Sequence, residues 1–461
     1  MLPLNRNLTR GPVARSMLLF ALPMIAGNLL QQFYNVADTL IVGRVLGPDA
    51  LAAVGASYTL MTFVTSILLG LCMGSGVLLS MLFGAGEEDA LKAASVLSFG
   101  LIALLTVLIE GAALLLLDPI LRLMQIPAEI YGMTRDYLQV IFIGIVFTFL
   151  YNYFAAWLRA IGNSAMPLVL LAVAAVLNVV LDLVFIIQGN MGVAGAAWAT
   201  IIAQAVSAIG HALYTLLRAP LFRFSRRHLR FDRRILRQIA SYSLLTCVQQ
   251  SVMNFGILMI QGLVNSFGVT VIAAFAAAVK IDSFAYMPVQ DFGNAFSTFI
   301  AQNTGAREGE RIRRGLRAAI LTAFLFCVVI SVGVFVFAPQ LMCIFVDPSE
   351  TAIIAEGVRY LQIEGACYCG IGCLFLLYGL YRGLGRPGIS VVLTVISLGT
   401  RVALAYLLAP IPAIGLPGIW WAIPIGWFLA DAAGLLYYRR VSRQLLPGVS
   451  PAGKGAVSRP I

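Results

Sequence analysis

Residues 169–187 read VLLAVAAVLNVVLDLVFII, an apolar run that two polar side chains interrupt. The run is long enough for a helix that crosses a membrane. The two interruptions, Asn178 and Asp182, stand four residues apart and therefore share one face of such a helix. Because a carboxylate is costly to place in lipid, Asp182 is expected to face a cavity or a partner group.

The composition extends this interpretation to the whole chain. Of its 461 residues, 60% are hydrophobic and only 11% are charged, and the mean hydropathy is +0.93. A soluble domain of this size cannot bury so much apolar surface, so the sequence predicts an all-α polytopic membrane protein. The formal net charge of +11 does not indicate nucleic-acid binding, because the basic residues cluster between the apolar segments. The bilayer is the expected partner.

Apolar segments punctuated by glycine, proline and charge predict twelve transmembrane helices, here called spans 1 to 12. Their approximate bounds are 15–43, 50–83, 93–117, 135–160, 165–187, 192–217, 237–265, 271–303, 315–338, 356–381, 388–408 and 415–438.

The basic residues predict the orientation of the spans. With both termini on the cytoplasmic side, 25 Lys and Arg residues fall inside, four fall outside, and Lys280 and Arg401 lie within spans. Such a split follows the positive-inside rule, so we expect a multi-pass protein of the cell inner membrane with both termini cytoplasmic. The expected divisions are an N-lobe over residues 1–217, a basic cytoplasmic linker over 218–237, a C-lobe over 238–440 and a cytoplasmic tail over 441–461.

The two halves of the chain repeat. A shift of 221 residues superposes Gly47 on Gly268 and Gly84-Ala85-x-Glu87 on Gly305-Ala306-x-Glu308. A shift of 223 superposes Tyr137-Leu138-Gln139 on Tyr360-Leu361-Gln362 and Arg159 on Arg382. Six helices per copy, an even number, predict two lobes related by a pseudo-two-fold axis along the membrane normal, with a cavity between them. The major facilitator architecture also has two six-helix lobes, but the loop after span 2 lacks its motif.

Four polar residues are expected at one depth in the N-lobe. Asp38 lies nine residues before the turn at Gly47, Asp182 seven before Gly189, and Thr200 eight after Gly192. Each is therefore about 10–13 Å from the same end of the bundle, and Asn178 is one turn deeper. Close carboxylates tend to share a proton, and the same oxygens suit Na⁺ as a hard cation. The set predicts a site for H⁺ or Na⁺, with no other metal and no cofactor.

Several motifs resemble the multidrug and toxic compound extrusion (MATE) family along nearly the whole chain. They are Pro23 with Gln31-Gln32-x-Tyr34-Asn35-x-x-Asp38-Thr39, Leu46-Gly47-x-x-Ala50-Leu51-Ala52-Ala53, Phe83-Gly84-Ala85-Gly86, and Gly293-Asn294-Ala295-x-Ser297-x-x-x-Ala301-Gln302-Asn303. The resemblance implies a V-shaped pair of six-helix bundles that exports organic, often cationic compounds in exchange for protons or sodium. Within the family it is similar to the N-lobe-aspartate (DinF-like) branch, which implies a coupling site at Asp38, Asn178, Asp182 and Thr200.

Other polar and aromatic residues are weaker candidates. Pro23 removes a helical hydrogen bond and gives span 1 a place to bend. Candidate lining residues of a drug cavity are Met24, Gln31, Tyr34, Met61, Tyr151 and Phe154. The role of Glu110 stays open between a structural pairing, a rim position and transport. A charge network in the C-lobe could involve Lys280, Asp282, Asp291 and Arg401, with packing as its usual purpose.

The function that these features favour is secondary active multidrug export, with lipophilic organic cations leaving the cell against H⁺ or Na⁺. The protein is expected to be a monomer. It is not expected to be an enzyme, since the sequence contains no nucleophile–base pair, phosphate loop or metal-ligand set. The alternative is a flippase for lipid-linked saccharides, which requires a strongly basic cavity. We expect no Lys or Arg in the interior of the spans before Lys280, which favours cationic cargo.

Overall fold

The structure of the chain, a computed structural model, describes residues 7–222, 224–225, 228 and 231–445. Every regular element in these residues is a helix. Parts of the expected linker, and the expected tail beyond Leu445, lie outside the described residues.

The first half of the chain forms spans 1 to 6. Their bounds are Val13–Leu46 for span 1, Pro48–Ala85 for span 2, Glu88–Leu115 for span 3, the pair Ala128–Ile143 and Ile145–Ala160 for span 4, Ala165–Asp182 for span 5, and Gly192–Arg218 for span 6. Span 5 continues as a π-helix over Leu183–Gln188. Two short helices, which the hydropathy pattern does not reveal, are Leu117–Leu123 and the 3₁₀-helix Pro220–Phe222.

The second half forms spans 7 to 12. Their bounds are Arg233–Asn265, Val269–Gly305, Gly309–Met342, the pair Thr351–Gly365 and Tyr368–Gly383, Pro387–Leu408 and Leu416–Leu445. Within the described residues, ten helices are long and apolar enough to cross a membrane, and each bent pair supplies one more span. The prediction of twelve transmembrane helices is therefore confirmed.

Spans 4 and 10 differ from the continuous helices that the hydropathy predicted. Span 4 bends by 45° between its two helices, and span 10 bends by 51°. The bends lie at Gly144 and between Gly365 and Tyr368, which are equivalent places in the two repeats. Duplicated sequence thus produces a duplicated bend.

Two hydrophobic cores occupy the two halves, and spans 1 and 7 cross between them. One core consists mainly of residues from the second half, but Met17 and Phe20 of span 1 belong to it. The other consists mainly of residues from the first half, but Ile239 of span 7 belongs to it. The starts of these two spans therefore pack against the opposite half.

The halves meet most closely at the end of the bundle that carries the Arg-rich loops, here called the basic side. A Cβ on Gly84 would collide with the backbone carbonyl of Gln302, and a Cβ on Gly305 would collide with the carbonyl of Met81. Gly305 and Gln302 are the repeat equivalents of Gly84 and Met81 under the shift of 221. The contact between spans 2 and 8 is therefore reciprocal, as a pseudo-two-fold axis requires.

Toward the opposite side the halves separate. Along span 2, a Cβ on Gly70 or Gly74 would collide with the backbone of span 7, whereas a Cβ on Gly55 would meet no atom within 4 Å. Span 2 runs from the opposite side to the basic side, so its close contacts are confined to its second half. The closest backbone contacts of span 2 with the second half of the chain therefore lie toward the basic side.

A short segment before span 1 ties the halves together at the basic side. Leu8 is fully buried in the C-terminal core, and its backbone N–H donates to Gln302 Oε1 at 3.0 Å. The other end of the Gln302 amide donates to the carbonyl of Ala160 at 2.8 Å. Arg311 donates to the carbonyls of Leu8, Arg10 and Gly11 at 2.8–3.1 Å. One side chain of span 8 thus links residue 8 to the end of span 4.

Replacing Arg311 by Gln should loosen this segment. Charged hydrogen bonds contribute about 1.5–3 kcal/mol, so we expect faster hydrogen exchange at residues 8–11 and a lower melting temperature. Arg314→Gln is the matched control, because Arg314 makes only an exposed pair with Glu310. Equal exchange rates at residues 8–11 in both variants would show that Arg311 does not hold the segment.

Candidate functional site

One face of span 1 leads from the basic side to the predicted site. Met24, Gln31 and Tyr34 all line the main cavity between the halves. Their successive spacings of seven and three residues put them on one helix face. Asp38 follows Tyr34 by four residues on that face, and the two side chains interact electrostatically. Span 1 therefore connects the cavity to a carboxylate nearer its far end.

Asp38 lies against Asp182 of span 5. Asp182 is fully buried, Asp38 is half-buried, and the two carboxyl groups interact directly. Both oxygens of Asp182 and Oδ1 of Asp38 are buried without a hydrogen-bond donor among the described residues. Buried carboxylate oxygens need a proton, a cation or a donor to offset their lost hydration. The pair is therefore a candidate site for a proton or a cation.

The regular α-helix of span 5 ends at Asp182, where the π-helix begins. Short π-helical turns widen the backbone spiral and often occur at functional sites. They arise when side-chain packing outweighs the optimal hydrogen-bond geometry of the α-helix. Asp182 thus lies at a change of helical register.

Asn178 and Thr200 form the second half of the site. The amide nitrogen of Asn178 donates to Oγ1 of Thr200 at 3.4 Å, and both residues line the cavity. The amide oxygen of Asn178 is buried without a donor among the described residues. The structure thus places the four sequence-predicted residues in two contacting pairs. Asn178 also shares the cavity-facing stripe of span 5 with Leu171 and Ala174.

This set of oxygens suits a small hard cation. Two carboxylates, an amide oxygen and a hydroxyl match the oxygen preference of such ions, and two facing carboxylates can share one proton. Among the described residues, no group of three or more His, Cys, Asp or Glu side chains could hold a metal ion. The arrangement fits H⁺ or Na⁺.

Tyr137 of span 4 was missed by the sequence interpretation. It is 3% exposed and interacts electrostatically with both Asp38 and Asp182. A signal was present, since Tyr137 superposes on Tyr360 in the repeat, and Tyr360 interacts with the buried Glu364. In each half, this repeated tyrosine lies beside a buried carboxyl group.

The cavity has a volume of about 300 Å³ and takes residues from both halves of the chain. Of the predicted lining residues, Met24, Gln31, Tyr34 and Tyr151 line it, and so does Pro23, which was predicted only as a place where span 1 bends. Met61 and Phe154 do not, because both pack within the N-terminal hydrophobic core. Their side chains lie on the wrong helix face, which spacing alone did not reveal.

Two arginines in the cavity correct the expectation that no basic side chain lies inside the spans before Lys280. Arg159 of span 4 and Arg382 of span 10 both line it. Arg159 lies at the end of predicted span 4, where the positive-inside rule accounts for a basic residue whichever way its side chain points. The repeat could have identified it, because it superposes on Arg382.

The structure does not assemble one network from Lys280, Asp282, Asp291 and Arg401. Asp282 accepts a hydrogen bond from the hydroxyl of Tyr368 at 2.7 Å and interacts with Glu364 and Arg401. Lys280 is exposed, and Asp291 lines the cavity instead. Nine residues separate Asp282 from Asp291, which puts them about 180° apart around the helix. Glu110 is half-buried in span 3, away from the cavity lining.

Comparison with known proteins agrees with this architecture. The MatE family profile matches residues 23–184 and 243–407, once in each half. The probable multidrug resistance proteins YpnP and YoeA of Bacillus subtilis (strain 168) are 32% and 28% identical to the chain. These matches cover 94% of this chain and 96% of YpnP, and 93% of this chain and 94% of YoeA.

A solved structure, the outward-facing conformation of a multidrug resistance MATE family transporter of the MOP superfamily, superposes with a TM-score of 0.89 at 25% identity. That match covers 95% of this chain and 98% of the other. The family match extends over most of the chain, and nearly all of it aligns with YpnP. The chain therefore belongs to the MatE family, the multidrug and toxic compound extrusion proteins, which are multi-pass membrane transporters and not enzymes.

Proposed function

We propose that the protein is an ion-coupled multidrug exporter of the N-lobe-aspartate (DinF-like) branch, with its coupling site at Asp38, Asp182, Asn178 and Thr200. The observation that carries this proposal is the group of buried oxygens without donors on Asp38, Asp182 and Asn178. The names of the relatives YpnP and YoeA, both probable multidrug resistance proteins, support export of drugs.

The coupling arises because the ion site and the cavity share residues. Asn178 and Thr200 line the cavity, and Tyr34 lies between the cavity and Asp38. An ion bound at Asp38 and Asp182 reduces the negative charge of the pair and changes the forces on spans 1 and 5. Transport requires the occupied and empty sites to favour different conformations. Pro23, which lines the cavity within continuous span 1, provides the place where that helix bends.

The proposed cargo consists of lipophilic organic compounds with a cationic centre, and the coupling ion is H⁺ or Na⁺. The protein acts as a monomer in the inner membrane, with its basic side and both termini cytoplasmic. The flippase alternative has less support, because the cavity holds an acid, Asp291, as well as its two arginines. A lipid-linked pyrophosphate calls for uniformly basic surroundings.

Dye efflux from everted membrane vesicles tests the exporter. Under separate pH and Na⁺ gradients, we expect ethidium transport to follow at least one gradient and to cease when both are collapsed. Vesicles without the protein provide the background rate. Equal dye movement with and without the protein, across a panel of lipophilic cations, would contradict the proposed function.

A further inference from the structure

Each half of the chain contributes one arginine to the cavity from an equivalent position. Arg159 lies in the last turn of span 4 and Arg382 in the last turn of span 10. The shift of 223 residues superposes them, so the pseudo-two-fold axis relates the two guanidinium groups. Both span ends lie at the basic side, so both arginines lie at that end of the cavity.

The oxygen atoms that accept hydrogen bonds from the two guanidinium groups are neutral. Among the described residues, neither forms an ion pair with a carboxylate. Arg382 is 4% exposed and donates to the carbonyl of Tyr378 at 3.3 Å and to Oδ1 of Asn294 at 2.9 Å. Arg159 donates to the carbonyl of Ala155 at 3.1 Å. Since a guanidinium has five N–H donors, each keeps several for another group.

A structural role does not require the positive charge of these two arginines. Each arginine bonds the carbonyl four residues earlier in its own helix, which satisfies one helix-end acceptor. A neutral side chain can do the same, whereas a buried charge without a counter-ion is costly. Arg382 is buried and Arg159 is half-buried, so the two positive charges at one end of the cavity favour the binding of an anionic group.

Asp291 supplies the opposite charge in the same cavity. Its Oδ2 accepts a hydrogen bond from the amide of Asn28 at 2.9 Å, and the carboxyl group interacts electrostatically with Arg159. It is the only acid among the described residues that line the cavity. With two arginines and one aspartate, the net charge of this lining is not negative. A simple cation therefore finds no excess of negative charge at this end.

We propose that Arg159 and Arg382 form an anion subsite, so that the preferred cargo is a zwitterionic organic molecule with a carboxylate. The carboxylate binds the two guanidinium groups, and the cationic part points along span 1 toward Tyr34 and Asp38. This inference rests on the proposed function, because it names the chemistry of the exported molecule. The cavity of about 300 Å³ is at the lower end of the range for small-molecule sites and suits a compact molecule.

A matched pair of dyes tests the subsite. Rhodamine 110 carries a free carboxylate, and rhodamine 123 is its methyl ester with the same ring system. Fluorescence anisotropy measures the binding of each dye to the full-length protein in nanodiscs. We expect Arg159→Gln and Arg382→Gln each to weaken rhodamine 110 binding about tenfold or more, because each variant loses a charge-assisted hydrogen bond. Each variant should weaken rhodamine 123 binding by less than about threefold.

Arg386→Gln is the matched control, because Arg386 is exposed one turn beyond Arg382 and does not line the cavity. It should leave both dyes bound as in the wild type. Arg382→Lys retains the charge and should recover part of the rhodamine 110 affinity. Equal losses for both dyes in the Gln variants would assign the arginines to structure and overturn the subsite.

The two proposals fail separately. Wild-type protein that transports rhodamine 123 but does not bind rhodamine 110 more tightly than Arg382→Gln refutes the subsite and leaves the exporter standing. Dye binding that depends on the arginines, without any ion-driven transport, refutes the exporter and retains an anion-binding cavity.

Discussion

Asp38→Asn is expected to abolish ion-coupled efflux while the protein stays folded. The substitution keeps the size of the side chain but removes its charge and its capacity to exchange a proton, so the buried pair with Asp182 can no longer hold a cation. Asp182→Asn and Asn178→Ala should weaken efflux as well, because the residues share one site and their effects should not add. Gradient-driven dye efflux at equal protein levels is the measurement.

The controls are buried carboxyl groups in the second half of the chain. Under the repeat, Asp38 corresponds to Met259 and Asn178 to Arg401, so the second half lacks an equivalent cation site. We therefore expect Asp282→Asn, Asp291→Asn and Glu364→Gln to impair efflux less than Asp38→Asn. If a variant of the second half has no efflux while Asp38→Asn still transports, the coupling site does not lie in the first half.

Gly84→Ala is expected to reduce efflux about tenfold or more, although it adds a single methyl group. The new Cβ would meet the backbone carbonyl of Gln302, which cannot move aside as a side chain can. Overpacking of this kind costs about 1–3 kcal/mol, and here the cost falls only on the conformation in which the basic side is closed. Gly305→Ala should have the same effect through the carbonyl of Met81.

Gly55→Ala is the matched control in the same helix. A Cβ on Gly55 would meet no atom within 4 Å, so efflux should stay at the wild-type rate. Thermal unfolding of each purified variant separates a shifted conformational equilibrium from a general loss of stability. If Gly84→Ala and Gly55→Ala behave alike, the close contact between spans 2 and 8 does not contribute to transport.

Much of the fold was predictable because it depends on properties that local sequence carries. Apolar segment length predicted twelve spans, and the near-constant repeat offset predicted the symmetry seen in the reciprocal contact of Gly84 and Gly305. The depth of Asp38, Asp182 and Thr200 followed from counting residues to the nearest turn, since the rise of a helix is constant. The prediction that these residues lie close together rested only on their shared depth in the bundle.

The features that the sequence did not predict depend on the rotation of each helix about its axis and on bends within helices. Met61 and Arg159 both occur where a helix could turn them toward the cavity, but only Arg159 faces it. The 45° bend at Gly144 and the π-helix after Asp182 change the direction in which the following side chains point. Hydropathy counts cannot register such changes, because apolar composition is the same on either side of a bend. Contacts of this kind arise from packing between segments distant in sequence.

The reciprocal contact between spans 2 and 8 also bears on leakage. Both close approaches join the same two helices within one turn of each other, so separation of span 2 from span 8 breaks both together. If the protein exchanges ions for cargo as proposed, we expect the basic side to part in one step rather than through a half-parted state. A half-parted state would let ions flow through the protein and dissipate the gradient.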